Sequence, residues 1–379
     1  MKNEEFIAKI LEPKRSDKGK AKYRAYPSRR SVRWILPTTG VHRRSGMAVF
    51  NPSSVKGRAL KSLISLGLLR GEVAPGAAEP LDLIGQFVSK GVERNDLFLS
   101  VSVGQRGAYQ KHTLRVMTPN GTAIAYAKLA DVGLAKEKIA AEHANLAYLA
   151  GFDDLNAYVP RILRFGEVEG WLVLVTSAGP DGPGPFGFSN DHQRFLRRLF
   201  VDSRLEKPLF GSTLWTTISS TLIWLSTRAP QVWMDRFNRT IALVRKEFGD
   251  LPIALSMVHR DFTPWNTRQM STGLFIFDWE AGILEAPPLL DLIHFHAIQH
   301  VLLGRRFGIH DQAIIDAAST IVGSKMMRAM DIDSLYLVYL LDVACYYLRA
   351  RLEAPNAGNS LVLTWAEHEL DTELERRCG

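Results

Sequence analysis

The stretch Val258-His259-Arg260-Asp261-Phe262-Thr263-Pro264-Trp265-Asn266, followed by Phe275-Ile276-Phe277-Asp278-Trp279-Glu280, decides how this chain is read. The first string fits H-R-D-x-x-x-x-N. In that spacing the aspartate accepts or orients the proton of an attacking hydroxyl, and the asparagine side-chain oxygen holds Mg²⁺. The second string is an apolar run ending in a carboxylate, Asp278, twelve residues after Asn266. The alternation of a strand predicts Glu280 on the same face as Asp278, and both offer hard oxygen ligands to a divalent cation. Phosphoryl transfer needs such a set. Its barrier is lowered mainly by positioning and by cations on phosphate oxygens, not by covalent protein chemistry. An HxD triplet arises often by chance; the whole string with its following D-x-E is specific.

This region resembles the aminoglycoside phosphotransferase/choline kinase superfamily, whose catalytic loop usually reads H-G-D-x-x-x-x-N and whose metal strand reads D-x-D/E. Pro287-Pro288-Leu289-Leu290-Asp291-Leu292 is similar to that family's next segment, where an aspartate opens a helix and buttresses the catalytic loop. The resemblance spans roughly residues 96–350 and does not reach 1–95. It implies Asp261 as the catalytic base, with His259 supporting the loop by hydrogen bonding. It implies Asn266 and Asp278 as metal ligands, and Glu280 as a weaker third, since some members lack an acid there. ATP and Mg²⁺ follow as cofactors. The implied fold is α+β and two-lobed, protein-kinase-like: a five-stranded antiparallel N-lobe with one orienting helix, then a mainly helical C-lobe, with ATP in the cleft near the connector at 174–185. Two positions depart from the family. Arg260 stands where it usually has glycine, and Trp265 is bulky for its place; neither change removes a catalytic group.

Upstream, the texture supports such an N-lobe. Leu97–Val103 and Tyr109–Met117 read as strands, and Pro119-Asn120-Gly121 as a hairpin turn into a third, Thr122–Leu129. A helix is predicted from Leu134 to Ala150 with Gly151 as its C-terminal cap, then strands at Arg161–Phe165 and Trp171–Thr176. Lys128, late on the third strand, is where a kinase-like lobe keeps the lysine that grips nucleotide phosphates. Glu142, mid-helix, is its expected partner, with Glu137 as the alternative. Gly104-Gln-Arg-Gly107 fills the place of the phosphate-covering loop, although GxxG alone fits many turns. The turn-rich Ser177–Pro185 reads as the interlobe connector. Beyond it helices are predicted at about 191–202, 212–227, 231–248, 288–303, 311–322, 334–352 and 360–376. The domains expected are thus 1–95 as a basic, partly helical extension, 96–176 as the nucleotide-binding N-lobe and 177–379 as the C-lobe.

The acceptor is read as a small molecule. Ser/Thr kinases usually carry lysine two places after the catalytic aspartate, and here that residue is Thr263. Only 12 residues separate Asp278 from Asp291, too few for a peptide-docking segment, and there is no D-F-G. A zinc site from His294, His296 and His300 is disfavoured, because His294 points about 200° away from His296 around a helix. These histidines read as core or helix-surface residues. Residues 177–379 hold 23 Asp+Glu and 20 Lys+Arg, so no acidic surplus awaits a polycation. Arg194, Arg197 and Arg198 share a helix face and lean toward anionic groups, although a solvated basic face is the plainer account. A sugar or sugar derivative is favoured over an aminoglycoside. The rival class is a non-catalytic pseudokinase-like nucleotide-binding regulatory module, against which stands the presence of every catalytic position.

Composition sets the remaining bounds. The 379 residues are 46% hydrophobic and 23% charged, with a formal charge of +8. Residues 1–70 carry 17 Lys+Arg against 4 Asp+Glu, so the basic character belongs to the N-terminal extension. Such an arm can touch nucleic acid or an anionic surface, and a salt-dependent gel shift tests it. Residues 1–30 read as weakly ordered and dispensable. After them come helical patterns at Leu60, Leu63, Ile64 and Leu68, stopped by Gly71, and at Leu81, Ile84, Phe87 and Val88. The cysteines, Cys345 and Cys378, have no paired or metal-binding spacing. No signal peptide or membrane span is evident, so a cytoplasmic location is the expectation.

Overall fold

The computed structural model describes residues 23–28, 30–50, 55–74, 78–104, 109–329, 331–353 and 360–378. The chain divides into two compact units, Met1–Pro183 and Gly184–Gly379, the boundary falling within the expected connector sequence.

The first unit is built on one antiparallel sheet. Its strands are β1 (Tyr23–Tyr26), β2 (Trp34–Pro37), β3 (Glu72–Val73), β4 (Phe98–Ser102), β5 (His112–Met117), β6 (Ala123–Ala130), β7 (Ile162–Val168) and β8 (Trp171–Ser177), in the order β3-β1-β2-β4-β5-β6-β8-β7. The five expected strands are the contiguous run β4 to β7. The expectation of five strands beside a separate extension is corrected, because residues 23–73 add three more beyond β4. Trp34 and Ile35 pair with Ser102 and Val101, so β2 covers an edge that β4 would otherwise leave open. Strands of four residues, buried throughout in the case of Trp34–Pro37, give no alternation to read in the sequence. Of the arm expected at 1–30, residues 1–22 and Arg29 lie outside the described residues.

Among the described residues the helices of this unit are α1 (Gly40–Gly46), α2 (Val55–Leu66), α3 (Ala78–Val92) and α4 (Gly133–Leu149). Ile84 and Val88 of α3 pack into a core with Leu99, Val101, Leu114, Val116, Ala127, Leu129 and Val173 from the sheet. Ile64 of α2 joins Tyr26, Trp34, Leu36 and Met47 in a second cluster. α2 stops at Leu66, short of Gly71, and Leu68 is exposed. The turn at 119–121 is closed by Thr118 N–H donating to Thr122 O at 3.0 Å. α4 ends without a left-handed residue at Gly151; Ala150 stays right-handed and its N–H still reaches Leu146 O at 2.9 Å, so the chain simply winds on into turns.

The second unit is mainly helical: α5 (Asn190–Ser203), α6 (Thr213–Leu225), α7 (Gln231–Phe248), α8 (Leu290–Leu303), α9 (Gln312–Val322), α10 (Ser324–Ala329), α11 (Ile332–Glu353) and α12 (Ser360–Cys378). All but the short α10 are foreshadowed by the periodicity. Two small sheets carry the chemistry-bearing stretch: β13-β10-β9, with β9 Leu205–Pro208, β10 Pro252–Val258 and β13 Ile283–Ala286, and the hairpin β11 (Thr267–Met270) with β12 (Gly273–Ile276). α11 is buried on nearly all sides from Ser334 to Cys345, as a helix hydrophobic all round must be. Among the described residues no helix is long and apolar enough to cross a membrane.

Candidate active site

In the first unit, β6 alternates. Ala125, Ala127 and Leu129 face the core, which turns Lys128 to the opposite face, level with Thr113 on β5 and Leu174 on β8. On α4, Ala135, Ile139, Glu142, Leu146 and Leu149 recur at helical spacing, so the stripe that packs also carries Glu142 inward. Lys128 Nζ donates to both Glu142 oxygens, at 2.7 and 2.5 Å, and Glu142 is 2% exposed. Glu137 is exposed to solvent. Burying a carboxylate is costly unless it is paired, and the lysine supplies that pairing.

Gly104 ends the strand segment before the expected phosphate loop. A side chain there would put Cβ 2.0 Å from the Lys111 carbonyl oxygen, so only glycine lets the two backbones pass. Gly107, the other glycine of that loop, lies outside the described residues. An arginine that sequence reasoning passed over stands on the same face as Lys128. Arg115 is 1% exposed, meets Tyr126 OH and Ser45 Oγ, and grips both oxygens of Asp181 at 2.7 Å. The first stretch of the connector is thereby tied to the sheet. The only hint was a cation between Leu114 and Val116 in a buried strand.

In the second unit, β10 delivers the catalytic-loop string at its end, and Asp291 in the first turn of α8 holds it. The two Asp291 oxygens accept the backbone N–H groups of His259 at 2.7 Å and Arg260 at 2.8 Å. His259 is fully buried. Its Nδ1 accepts the Asp261 N–H at 3.2 Å, and its Nε2 donates to Phe277 O at 3.0 Å. The imidazole therefore joins the loop to the chain just before Asp278, with both nitrogens occupied in that task. Asn266 Nδ2 donates to Asp261 O at 3.0 Å and to Asp261 Oδ2 at 2.8 Å. With its nitrogen so engaged, Asn266 presents its amide oxygen as the atom able to meet a cation. Phe277 N–H donates to Asn266 O at 3.1 Å, which sets Asp278 next to the loop.

The strand reading of Asp278 and Glu280 is corrected. β12 stops at Ile276, Asp278 takes a left-handed conformation (φ 72°), and Glu280 sits in the 3₁₀ turn Trp279–Ala281. With the chain turned out of extension, the indole of Trp279 is fully buried and donates to Ile276 O at 3.0 Å, a contact back onto its own strand. A carboxylate oxygen of Asp278 and one of Glu280 still come within 4.8 Å of each other. Such proximity of like charges suits an oxygen-liganded cation.

Arg260 also has φ 62°, left-handed, where a side chain costs about 1–2 kcal/mol and glycine costs nothing. That is a physical reason for glycine as the usual residue at this point of the resembled pattern. Here the side chain is put to use: Nε and Nη2 bind Asp342 of α11 at 2.9 and 2.6 Å, and both residues are mostly buried. Burial works against the arginine's charge, but Asp342 more than offsets it and the net shift is upward. Burial pushes the Asp291 carboxyl above its ordinary range, against the two backbone donors that favour its charged form.

His294, one turn after Asp291, brings Nε2 to 3.4 Å from Asp261 Oδ1 and has Tyr339 OH 3.1 Å from Nδ1. Sequence reasoning took His294 only as a core or helix-surface histidine and gave Asp342 no role. The available signals were the i,i+3 spacing from Asp291 and a lone acid inside an apolar helix. Among the described residues His294, His296 and His300 form no shared ligand set. The arginines of α5 have partners: Arg194 meets Asp191, Arg198 binds Asp202 at 2.7 Å, and Arg197 donates to Thr320 O at 2.8 Å. Thr263 is fully buried. The 12 residues between Asp278 and Asp291 run through the 3₁₀ turn and β13 to the start of α8.

No family model and no curated protein matches the sequence. Solved structures do match. The aminoglycoside phosphotransferase APH(4)-Ia aligns at TM-score 0.50 with 12% identity, over 78% of this chain and 98% of that one. The amicoumacin kinase hAmiN, in complex with AMP-PNP, Ca²⁺ and Ami, aligns at TM-score 0.50 with 12% identity, over 72% of this chain and 88% of that one. A shared fold at such identity fixes architecture and leaves the chemistry to the site. This chain has the protein-kinase-like α+β fold of the aminoglycoside phosphotransferases, an antiparallel sheet unit followed by a helical one.

Proposed function

We propose that the protein is an ATP- and Mg²⁺-dependent phosphotransferase that moves the γ-phosphoryl group to a hydroxyl of a small molecule. The observation that carries this reading is the Asp261–Asn266 pair. One amide nitrogen locks the carboxylate, and the amide oxygen is the atom that would serve a cation. The acceptor hydroxyl attacks the γ-phosphorus, its proton passes to the Asp261 carboxylate, the new O–P bond forms and the bond to ADP breaks. Asn266 and Asp278, with Glu280 near Asp278, are hard oxygen donors that fit Mg²⁺, which when bound neutralises charge on the phosphates. Lys128, oriented by Glu142, is the group for the nucleotide phosphates, and the backbone beside Gly104 is the expected cover. The solved neighbour hAmiN binds AMP-PNP with a divalent cation, which supports the same cofactor pair here.

A peptide acceptor finds little support, given buried Thr263 and the short span from Asp278 to Asp291. Tyr347 lies near enough to Asp261 for that charge to help burial raise its phenol pKa, and its neighbour Tyr346 is 39% exposed, so the second unit places aromatic groups there. Aromatic faces suit the apolar face of a sugar ring, and the balance of 23 Asp+Glu against 20 Lys+Arg in residues 177–379 leaves no acidic surplus for a polycation. The arginine face of α5 no longer argues for an anionic acceptor, since each arginine is already engaged. The test is mass spectrometry of a metabolite mixture incubated with enzyme and Mg·ATP. The reading expects ADP and one phosphorylated small molecule in equal amounts, and neither without Mg²⁺. Tight ATP binding with no phosphorylated product from any acceptor would instead favour a regulatory binding module.

A further inference from the structure

We infer that His294 is a positioning residue for the Asp261 carboxylate, braced from behind by Tyr339; the role rests on the phosphotransferase reading. α8 sets Asp291 and His294 three residues apart on one face. Asp291 holds the backbone of the loop, and His294 approaches the side chain that does the chemistry. His294 is 4% exposed, and among the described residues its Nε2 has no hydrogen-bond partner; the Asp261 Oδ1 at 3.4 Å is the charged group it faces. A buried polar nitrogen left without a partner calls for a reason. Hydrogen bonds at reacting groups are often long before substrate binds and tighten afterwards.

The direction of the contact follows from Asp261, whose carboxylate oxygen facing Nε2 can only accept. Nδ1 is left to accept the Tyr339 hydroxyl proton at 3.1 Å. The imidazole then carries its own proton on Nε2, aimed at Asp261 Oδ1. Asn266 already donates to Oδ2 at 2.8 Å. The carboxylate, whose side chain is otherwise 42% exposed, is thus steadied at both oxygens. Each oxygen retains a lone pair for the acceptor hydroxyl. What the clamp supplies is orientation, to which transfer rates are sensitive.

The test pairs a spectrum with kinetics. Full-length protein labelled with ¹⁵N-histidine should show His294 in the Nε2–H tautomer, with a resonance that moves in Asp261→Asn. ADP release from Mg·ATP with a panel of sugars should show His294→Ala losing about 10–100-fold in kcat with the KM for ATP unchanged. His294→Gln, whose amide can donate from a similar place, should recover much of that loss, and Tyr339→Phe should lose less than His294→Ala. If His294→Ala fails to fold, His294→Gln and Tyr339→Phe carry the comparison. A proton on Nδ1, a resonance indifferent to Asp261→Asn, or wild-type kcat in His294→Ala or in Tyr339→Phe would overturn the role. Absence of turnover by the wild type with every acceptor would overturn the phosphotransferase reading and this role with it. An active wild type beside an unaffected His294→Ala overturns this role alone.

Discussion

At the scale of single residues, the site is a set of side chains whose second polar atom is spent on holding a neighbour. His259 uses both nitrogens to join Asp261 to Phe277, and Asn266 uses its nitrogen on Asp261. This arrangement makes the metal assignments testable. Asp278→Asn and Asn266→Ala should each raise the Mg²⁺ concentration for half-maximal activity, since each removes a hard oxygen ligand or its charge. Unchanged Mg²⁺ titrations in both would remove these residues from the cation site. The string from His259 to Asn266 was legible because its members are neighbours in sequence and the spacing is itself the chemistry. Asp342 and His294 were not. Asp342 meets Arg260 across 82 residues and Tyr339 lies 45 residues from His294, and no local pattern encodes such distances. The left-handed backbone at Arg260 was equally hidden, because the string records only that a residue other than glycine stands there.

At the scale of elements, the catalytic loop hangs between β10 and α8 and is tied to α11 by Arg260–Asp342. Removing one partner of a buried pair leaves an uncompensated charge. Arg260→Ala should therefore destabilise the protein by about 3–5 kcal/mol, with no relief of the left-handed backbone, since alanine keeps its Cβ. Arg260→Met with Asp342→Leu should regain most of it, because an apolar pair of similar volume carries no such penalty. Denaturant unfolding decides, and a single mutant as stable as wild type would show the pair to be incidental. The N-terminal elements give a second case. Helix periodicity exposed α2 and α3, and turn chemistry exposed the β5–β6 hairpin. β1 and β2 offered four residues each and no period. Their place in the sheet reverses the expectation that residues 1–30 can be dispensed with. Deleting them removes β1, with buried Ala25 and Tyr26, and should lower the melting temperature. A truncated protein that melts with the wild type would restore the dispensable-arm view.

At the scale of the molecule, each unit buries a histidine whose charged form it resists. Burial lowers His112 in the first unit, and His192 and His296 in the second, to about 4. Unfolded histidines protonate near 6.5, so between about 6.5 and 4 the unfolded chain binds protons that the native one refuses. The stability these groups contribute is complete above about pH 6.5 and is lost as pH falls toward 4, at up to about 1.4 kcal/mol per pH unit for each. Denaturant midpoints measured from pH 7 down to 4.5 should fall steadily, and a flat profile would contradict the burial. The central claim, that this kinase-like fold performs phosphoryl transfer through Asp261, meets its most direct test in one purified variant. In Asp261→Ala, Mg·ATP binding by calorimetry should match wild type while phosphorylated product falls about 10²–10⁴-fold, because the base serves the acceptor and not the nucleotide. Product formed at the wild-type rate by Asp261→Ala would contradict the account.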